Sequence, residues 1–243
     1  MASPFDFAAI NAILLDVEGT TTPIDFVYKT LFPFASAHVE DFLRRHFQET
    51  ETSNLIAQLQ DASKSDCANG APSWTESGSG QTIGNVAAYV RRLIARDSKI
   101  TPLKTLQGKI WEEGFRGGDL KGEVYPDVAL AFARWKARGK LIAIFSSGSV
   151  LAQRLLFAYS TAGNLSSFLD AYFDTTIGPK REAGSYKKIA AALQLPPIQI
   201  LFISDVEAEL DAAGIAGMKT ALSLRPGIVA PEKAKHATIS NFV

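Results

Sequence analysis

In the second half of the chain, short apolar segments alternate with segments of helical spacing, and this alternation constrains the fold more than any other feature. Strands that alternate with helices are typical of βαβ units, in which a helix connects two parallel strands. A similar apolar segment lies near the N-terminus. The expected strands are Ala12 to Asp16, Lys140 to Phe145, Tyr172 to Asp174, Ile198 to Ile203 and Lys219 to Leu224. The sequence therefore predicts an α/β fold with a doubly wound, mostly parallel sheet.

A long helical region separates the first strand from the others. The expected helices are Phe26 to Phe47, Thr52 to Leu59, Ile83 to Ala95 and Leu103 to Phe115. Their apolar residues recur at the spacing of an amphipathic helix. We predict a helical cap at residues 23–122, inserted into a core formed by residues 8–22 and 123–243. A flexible loop is expected at residues 61–81, which are rich in Ser, Gly, Ala and Asn.

Composition narrows the class of protein. The 243 residues are 47% hydrophobic and carry a formal net charge of zero, which gives no attraction to nucleic acid or to an anionic membrane. A single cysteine excludes an internal disulfide and fits a reducing compartment. We expect a cytoplasmic protein, with nuclear entry left open, that binds neither nucleic acid nor a membrane.

Two carboxylates follow the first strand at alternate positions. The segment reads Asp16-Val17-Glu18-Gly19-Thr20. Side chains alternate along a strand, so Asp16 and Glu18 are expected on one side, with Gly19 permitting a sharp turn after them. Paired carboxylates suit Mg²⁺, and they also suit covalent phosphoryl transfer, in which one attacks phosphorus and the other moves a proton.

Three further polar groups follow later strands. They are the run Ser146-Ser147-Gly148-Ser149, the segment Gly178-Pro179-Lys180, and Asp205 with Glu207 and Glu209 after it. Each alone has an ordinary interpretation as a helix cap, a surface lysine or a helix-face charge. In a doubly wound sheet, however, the carboxyl ends of the strands meet at one crevice. Together the groups predict a single site, in which Glu209 would support either the metal or Lys180.

Phosphate-ester chemistry gives each of these residues a role. Mg²⁺ between Asp16 and Asp205 would reduce the repulsion between an anionic ester and a carboxylate. Lys180 would stabilise the transition state and Ser146 would hold a phosphate oxygen. Asp16 would be the nucleophile, and Glu18 the general acid and then the general base.

The order of these groups resembles the four motifs of the haloacid dehalogenase superfamily, most of whose members are phosphatases. Longer segments resemble the methionine-salvage enolase-phosphatases, also called acireductone synthases, in which Glu18 rather than Asp is the expected residue. The similar segments are Asp16 to Ile24, Leu106 to Phe115, Gly122 to Val128, Ser146 to Val150 and Phe173 to Lys180. The resemblance implies a haloacid dehalogenase-like core and a helical cap that encloses the substrate.

The resemblance also implies a bifunctional, Mg²⁺-dependent reaction with one ion per chain, in a monomer. A phosphorylated diketone, 2,3-diketo-5-methylthiopentyl-1-phosphate, would be enolised and then dephosphorylated to the acireductone 1,2-dihydroxy-3-keto-5-methylthiopentene. The implied metal ligands are Asp16, Asp205 and Glu18, the last by its side chain or its backbone carbonyl. The implied substrate-binding residues are Ser146, Ser147 and Lys180.

Two questions stay open at the level of sequence. The base for enolisation is Glu18, or else Glu123 or Tyr125 in the segment that follows the cap. The alternative functions are a generic small-molecule phosphatase and a receiver-type phosphoacceptor, which also uses carboxylates and Mg²⁺ on a doubly wound sheet. A receiver has no reason to carry a large helical insertion after its first acidic strand.

Overall fold

The computed structural model describes residues 6–67, 78–228 and 235–242. The chain divides into two compact units. The first comprises Met1–Phe26 and Lys121–Val243, and the second comprises Val27–Leu120. The second unit is therefore an insertion between the first strand and the rest of the first unit.

The first unit is built on a six-stranded sheet. Its strands are β1 Ala12–Leu15, β2 Leu141–Phe145, β3 Ala171–Phe173, β4 Ile200–Ser204, β5 Lys219–Ser223 and β6 Ala237–Ile239. Their order is β3-β2-β1-β4-β5-β6, and neighbouring strands in the described residues are parallel. The predicted doubly wound, mostly parallel sheet is confirmed. Strand β6 was not indicated by the sequence pattern.

Helices cover the sheet of the first unit. They are α6 Val128–Ala137, α7 Val150–Ala158, α8 Ala183–Ala192 and α9 Glu207–Ile215. All four residues of β1 are buried, as is typical of a parallel strand with helices on both faces. Leu14, Phe145 and Phe202 pack with Tyr186 of α8 in one apolar cluster. This packing holds the three central strands in register.

The second unit is helical. A short turn, α1 Ile24–Phe26, precedes a π-helical segment Val27–Leu31, and the helices α2 Phe32–His46, α3 Thr50–Cys67, α4 Gly78–Ala95 and α5 Thr101–Gly117 follow. Pro33 lies in the first turn of α2, where the missing N–H removes no helical hydrogen bond.

The prediction of a flexible loop at residues 61–81 is wrong at both of its ends. Helix α3 continues to Cys67 and α4 already begins at Gly78, while residues 68–77 lie outside the described part of the chain. The polar composition concealed tertiary contacts. The Asp66 carboxylate accepts a hydrogen bond from the Tyr89 hydroxyl at 2.8 Å and another from Arg96. These bonds join the end of α3 to α4 and favour helix over loop.

The motif Leu106 to Phe115 packs the second unit internally. The Trp111 indole N–H donates to the carbonyl of Leu31 at 2.8 Å, which satisfies a backbone group of the π-helical segment. A Cβ at Gly114 would lie 2.5 Å from the ring of Phe34. Glycine and tryptophan at these positions therefore serve close packing between α5 and the start of the unit.

Within the described residues, no helix combines the length and the apolar character needed to cross a bilayer.

Candidate active site

The last residue of β1, Leu15, pairs with Ile144 in β2 and with Ile203 in β4. Because the three strands are parallel and level, the segments that follow them leave the sheet at the same edge. Strand β1 ends one residue earlier than predicted, although the Asp16 N–H still donates to the Ile203 carbonyl at 3.0 Å. The polar residues at this edge are Asp16, Ser146 and Asp205.

Asp16 is the centre of a buried ionic cluster. Lys180 Nζ lies 2.5 Å from Asp16 Oδ1 and 2.7 Å from Glu209 Oε2. The Ser204 hydroxyl lies 3.2 Å from Asp16 Oδ2 and 3.1 Å from Glu209 Oε2. The Val17 N–H donates to Asp16 Oδ1 at 2.8 Å. These contacts fix both carboxylate oxygens of Asp16.

Burial and mutual repulsion raise the pKa of three carboxyl groups in the cluster. Burial, together with the charge of Asp16, raises the pKa of Asp205 to about 6. The same two causes raise the pKa of Glu209 to about 7, against the opposing effect of Lys180, and they raise the pKa of Glu18. Burial acts to lower the pKa of Lys180, but the carboxylates of Asp16 and Glu209 outweigh it and raise that pKa. One ammonium group thus faces more carboxyl groups than it can neutralise.

Glu18 lies in the turn after β1 and faces Ser146. The Ser146 hydroxyl donates to Glu18 Oε2 at 3.1 Å and accepts from the Gly148 N–H at 2.9 Å. A carboxyl group whose pKa is raised by burial can carry a proton near neutral pH, and it is a stronger base once that proton is lost. This environment suits a group that both donates and accepts protons.

The turn after β1 requires glycine. Gly19 has a φ of 71°, and a Cβ built there would lie 2.1 Å from Asp205 Oδ2. The carbonyl of Val17 accepts hydrogen bonds from the N–H groups of Thr20, Thr21 and Thr22 at 3.1, 2.9 and 2.9 Å. The Asp205 carboxylate therefore packs directly against the backbone that carries Glu18.

The donor set fits a divalent cation. Asp16 and Asp205 are close enough to raise the pKa of Asp205, and a hard cation between oxygen ligands would remove that repulsion. In the described ranges, no three acidic, histidine or cysteine side chains gather around a metal-sized point. The two carboxylates would thus need a backbone carbonyl, such as that of Glu18, and water to complete the coordination.

Lys180 is held from its backbone side. Gly178 has a φ of 144°, and a Cβ there would lie 2.3 Å from the Ser185 hydroxyl. That hydroxyl donates to the Pro179 carbonyl at 2.7 Å, and the Tyr186 hydroxyl donates to the Lys180 carbonyl at 2.6 Å. With a side chain only 9% exposed, Lys180 is not a surface lysine.

The remaining predicted residues lie around this cluster. Ser147 is half-buried next to Ser146, and its role in binding substrate stays a prediction. Glu123 is exposed. Burial raises the pKa of Tyr125, and the identity of the enolisation base stays a prediction. Glu209 contacts Lys180, which is one of the two roles expected for it.

Two residues of the site were not singled out from the sequence. Ser204 is the last residue of β4, and its hydroxyl bridges Asp16 and Glu209. Arg225 is 2% exposed and donates to the Thr20 carbonyl at 2.7 Å. The sequence does contain a signal for Ser204, which is a hydroxyl residue directly before Asp205. The local sequence around Arg225 holds no comparable signal.

Comparisons with known proteins agree over most of the chain. A family model described as a haloacid dehalogenase-like hydrolase matches residues 10–217. The Enolase-phosphatase E1 of Synechococcus elongatus is 50% identical over 234 residues, which cover 96% of this chain and 97% of that protein. The Drosophila melanogaster Enolase-phosphatase E1 is 46% identical over 221 residues, covering 89% and 84%. The crystal structure of the UTR4 protein of Saccharomyces cerevisiae has a TM-score of 0.77 and 33% identity, covering 96% and 98%.

Proposed function

Because this chain belongs to the Enolase-phosphatase E1 family of the haloacid dehalogenase-like hydrolases, we propose that it converts 2,3-diketo-5-methylthiopentyl-1-phosphate to an acireductone and phosphate. The observation that carries this proposal is the pairing of Asp16 with Lys180 at 2.5 Å beside a separately held Glu18. A nucleophile, a cation and a proton carrier then stand at one edge of the sheet.

Dephosphorylation follows from the contacts of Asp16 and Glu18. An Asp16 oxygen attacks phosphorus, the bond from phosphorus to the ester oxygen breaks, and Glu18 gives that oxygen a proton. Glu18 then removes a proton from the water that attacks the aspartyl-phosphate, which releases phosphate and restores Asp16. Lys180 stabilises the negative charge that grows on the phosphoryl oxygens.

Mg²⁺ held by Asp16, Asp205 and the Glu18 carbonyl would supply positive charge that lowers the repulsion between ester and nucleophile. Ser146 and the N–H groups that follow it would hold a further phosphate oxygen.

Enolisation uses the same groups. A proton next to a carbonyl is removed while charge grows on the carbonyl oxygen, and Lys180 stabilises that oxygen. We assign the base to Glu18, because the Ser146 hydroxyl holds its carboxylate at 3.1 Å at the same edge of the sheet as Asp16, and burial raises its pKa.

The proposal also covers the pathway, the oligomeric state and the cellular location. The reaction would serve L-methionine salvage from methylthioadenosine, with one Mg²⁺ per chain in a cytoplasmic monomer, and nuclear entry stays open. The helical unit Val27–Leu120 would be the cap of the enzyme.

The test is incubation with the diketo-phosphate and Mg²⁺, following phosphate release and the enediol absorbance in one sample. Both should appear with Mg²⁺ and neither with a chelator. Phosphate release from many simple esters, without enediol from the diketo-phosphate, would instead identify a generic phosphatase.

A further inference from the structure

Arg225 connects the turn after β1 to a distant part of the same unit. Its Nε–H donates to the Thr20 carbonyl at 2.7 Å, two residues after Glu18. Its Nη1 lies 2.9 and 2.8 Å from the two oxygens of the Asp127 carboxylate. Tyr125, two residues before Asp127, donates its backbone N–H to the Thr21 carbonyl at 2.9 Å. The turn is thus held at two successive carbonyls.

Aromatic rings hold the guanidinium group in place. Its central carbon lies 4.3 Å from the ring centroid of Tyr125 and 4.2 Å from that of Phe242. The Phe242 N–H donates to Asp127 Oδ2 at 2.7 Å. Asp127 occupies the N-cap position of α6, but its carboxylate makes no capping bond and contacts Arg225 and the Phe242 N–H instead.

Burial of the Arg225 guanidinium is an inefficient source of folding stability. The Arg225 side chain is 2% exposed, and among the described residues its Nη2 has no hydrogen-bond partner. A buried ion pair with an unsatisfied donor is often no more stable than an apolar side chain of similar volume. What an apolar side chain cannot supply is a donor to the Thr20 carbonyl at a fixed position.

We propose that Arg225 is a positioning residue that fixes the Val17–Thr22 turn and, through it, the place of Glu18. This inference rests on the proposed function only for its kinetic consequence. Asp16 directly follows β1 and is fixed by Lys180 and Ser204, which lie outside this turn, so its attack on phosphorus does not depend on Arg225. The proton transfers by Glu18 do depend on Arg225, because Glu18 lies in the turn that Arg225 holds.

The first test needs neither metal nor substrate. In Arg225→Met, the N–H groups of Thr20, Thr21 and Thr22 should exchange with deuterium faster than in the unchanged protein, as measured by NMR. The matched control is Lys140→Met, which removes a cation from the Ile10 carbonyl before the opposite end of β1. Lys140→Met should leave exchange in the Val17–Thr22 turn unchanged.

The second test uses p-nitrophenyl phosphate with Mg²⁺, because nitrophenolate leaves without a proton. In Arg225→Met the first equivalent of nitrophenolate should appear as fast as in the unchanged protein. The steady-state kcat should fall about 10–100-fold, as is typical when a group that orients a functional residue is lost, and KM should change little. Lys140→Met should retain kcat. A purely structural role would lower both phases together.

Unchanged exchange and kcat in Arg225→Met would overturn the proposal, as would equal changes in Lys140→Met. If Arg225→Met fails to fold, the same exchange and kinetic measurements are made on Arg225→Lys and Asp127→Asn. Absence of phosphate release by the unchanged protein would defeat the proposed function alone, because the exchange experiment still decides the role of Arg225.

Discussion

Lys180 Nζ lies 2.5 Å from Asp16 Oδ1, and the two side chains are 9% and 4% exposed. An ion pair this deeply buried is sensitive to the loss of either partner, because the remaining charge cannot be hydrated. In the proposed reaction, the same pair would hold the nucleophile and place positive charge beside the phosphate. Stability and catalysis would therefore be coupled at Lys180.

Replacing Lys180 by Met should lower both the free energy of unfolding and kcat. Loss of one electrostatic donor is expected to reduce kcat about 10²–10³-fold. The free energy of unfolding should fall by about 3 kcal/mol, since Asp16 and Glu209 lose their buried partner. Lys136→Met is the control, because Lys136 pairs with Asp170 near the surface and should change stability by about 1 kcal/mol or less. Urea unfolding and phosphate release measure the two effects, and normal turnover would remove Lys180 from the mechanism.

Glu18→Gln should separate the two halves of dephosphorylation. Asp16 can still attack an ester whose leaving group needs no proton, but the aspartyl-phosphate then lacks its general base. Its hydrolysis should slow by about 10²–10⁴-fold. A hydroxylamine-sensitive phosphoenzyme should accumulate and be visible by mass spectrometry. With the diketo-phosphate, enol-phosphate that builds up in Glu18→Gln would show that the enolisation base is another residue.

Gly19→Ala should impair the site while leaving the sheet intact. The new Cβ would lie 2.1 Å from Asp205 Oδ2, so the carboxylate must move. Gly139→Ala is a matched control, because Gly139 has a φ of 70°, against 71° for Gly19, and no atom within 4 Å of a Cβ. Both variants should lose similar stability from backbone strain. Activity, and its dependence on Mg²⁺ concentration, should change in Gly19→Ala alone.

The second unit should become less stable as pH rises past neutrality. His46 Nδ1 lies 2.6 Å from Glu49 and Nε2 2.7 Å from Glu113. Hydrogen bonding to Glu49, and then to Glu113, raises the pKa of His46 against the effect of burial. Because the folded pKa exceeds the unfolded value, the stabilisation is complete below about pH 6.5 and is lost as pH rises through the folded pKa.

The measurement compares the free energy of unfolding of the unchanged protein with that of His46→Gln at several pH values. The difference should be about 1 kcal/mol or less at pH 6, since the pair is partly exposed, and should shrink at pH 8.5. A difference that is constant, or that grows with pH, would contradict the assignment.

The sheet could be predicted because each strand is indicated by its own run of apolar residues. Four-residue runs such as Ala12–Leu15 are apolar throughout, and polar residues mark where each strand ends. Asp16, Lys180 and Asp205 could be proposed for one site because parallel strands bring their carboxyl ends together. Strand β6 was missed, since Ala237–Ile239 is short and only partly buried.

The errors arose where distant residues decide the local conformation. The end of α3 is polar, and its helix is favoured by Tyr89 in α4 and by Arg96 directly after α4 rather than by its own composition. The contacts of Arg225 are likewise made to residues that are distant in the sequence. Its partners, Thr20 and Asp127, are 205 and 98 positions away, so a turn sequence alone could not reveal it.

The bonds that assemble this site also set the order in which it can form during synthesis. Lys180, Ser204 and Arg225 bond to partners that precede them by 164, 188 and 205 positions. At about 5–20 residues per second, a ribosome needs roughly 10–40 s between Asp16 and Arg225. For most of that interval β1, which lies between β2 and β4 in the finished sheet, has no strand to pair with. The nascent chain therefore lacks a complete site and exposes an apolar strand until β2 and β4 have been synthesised.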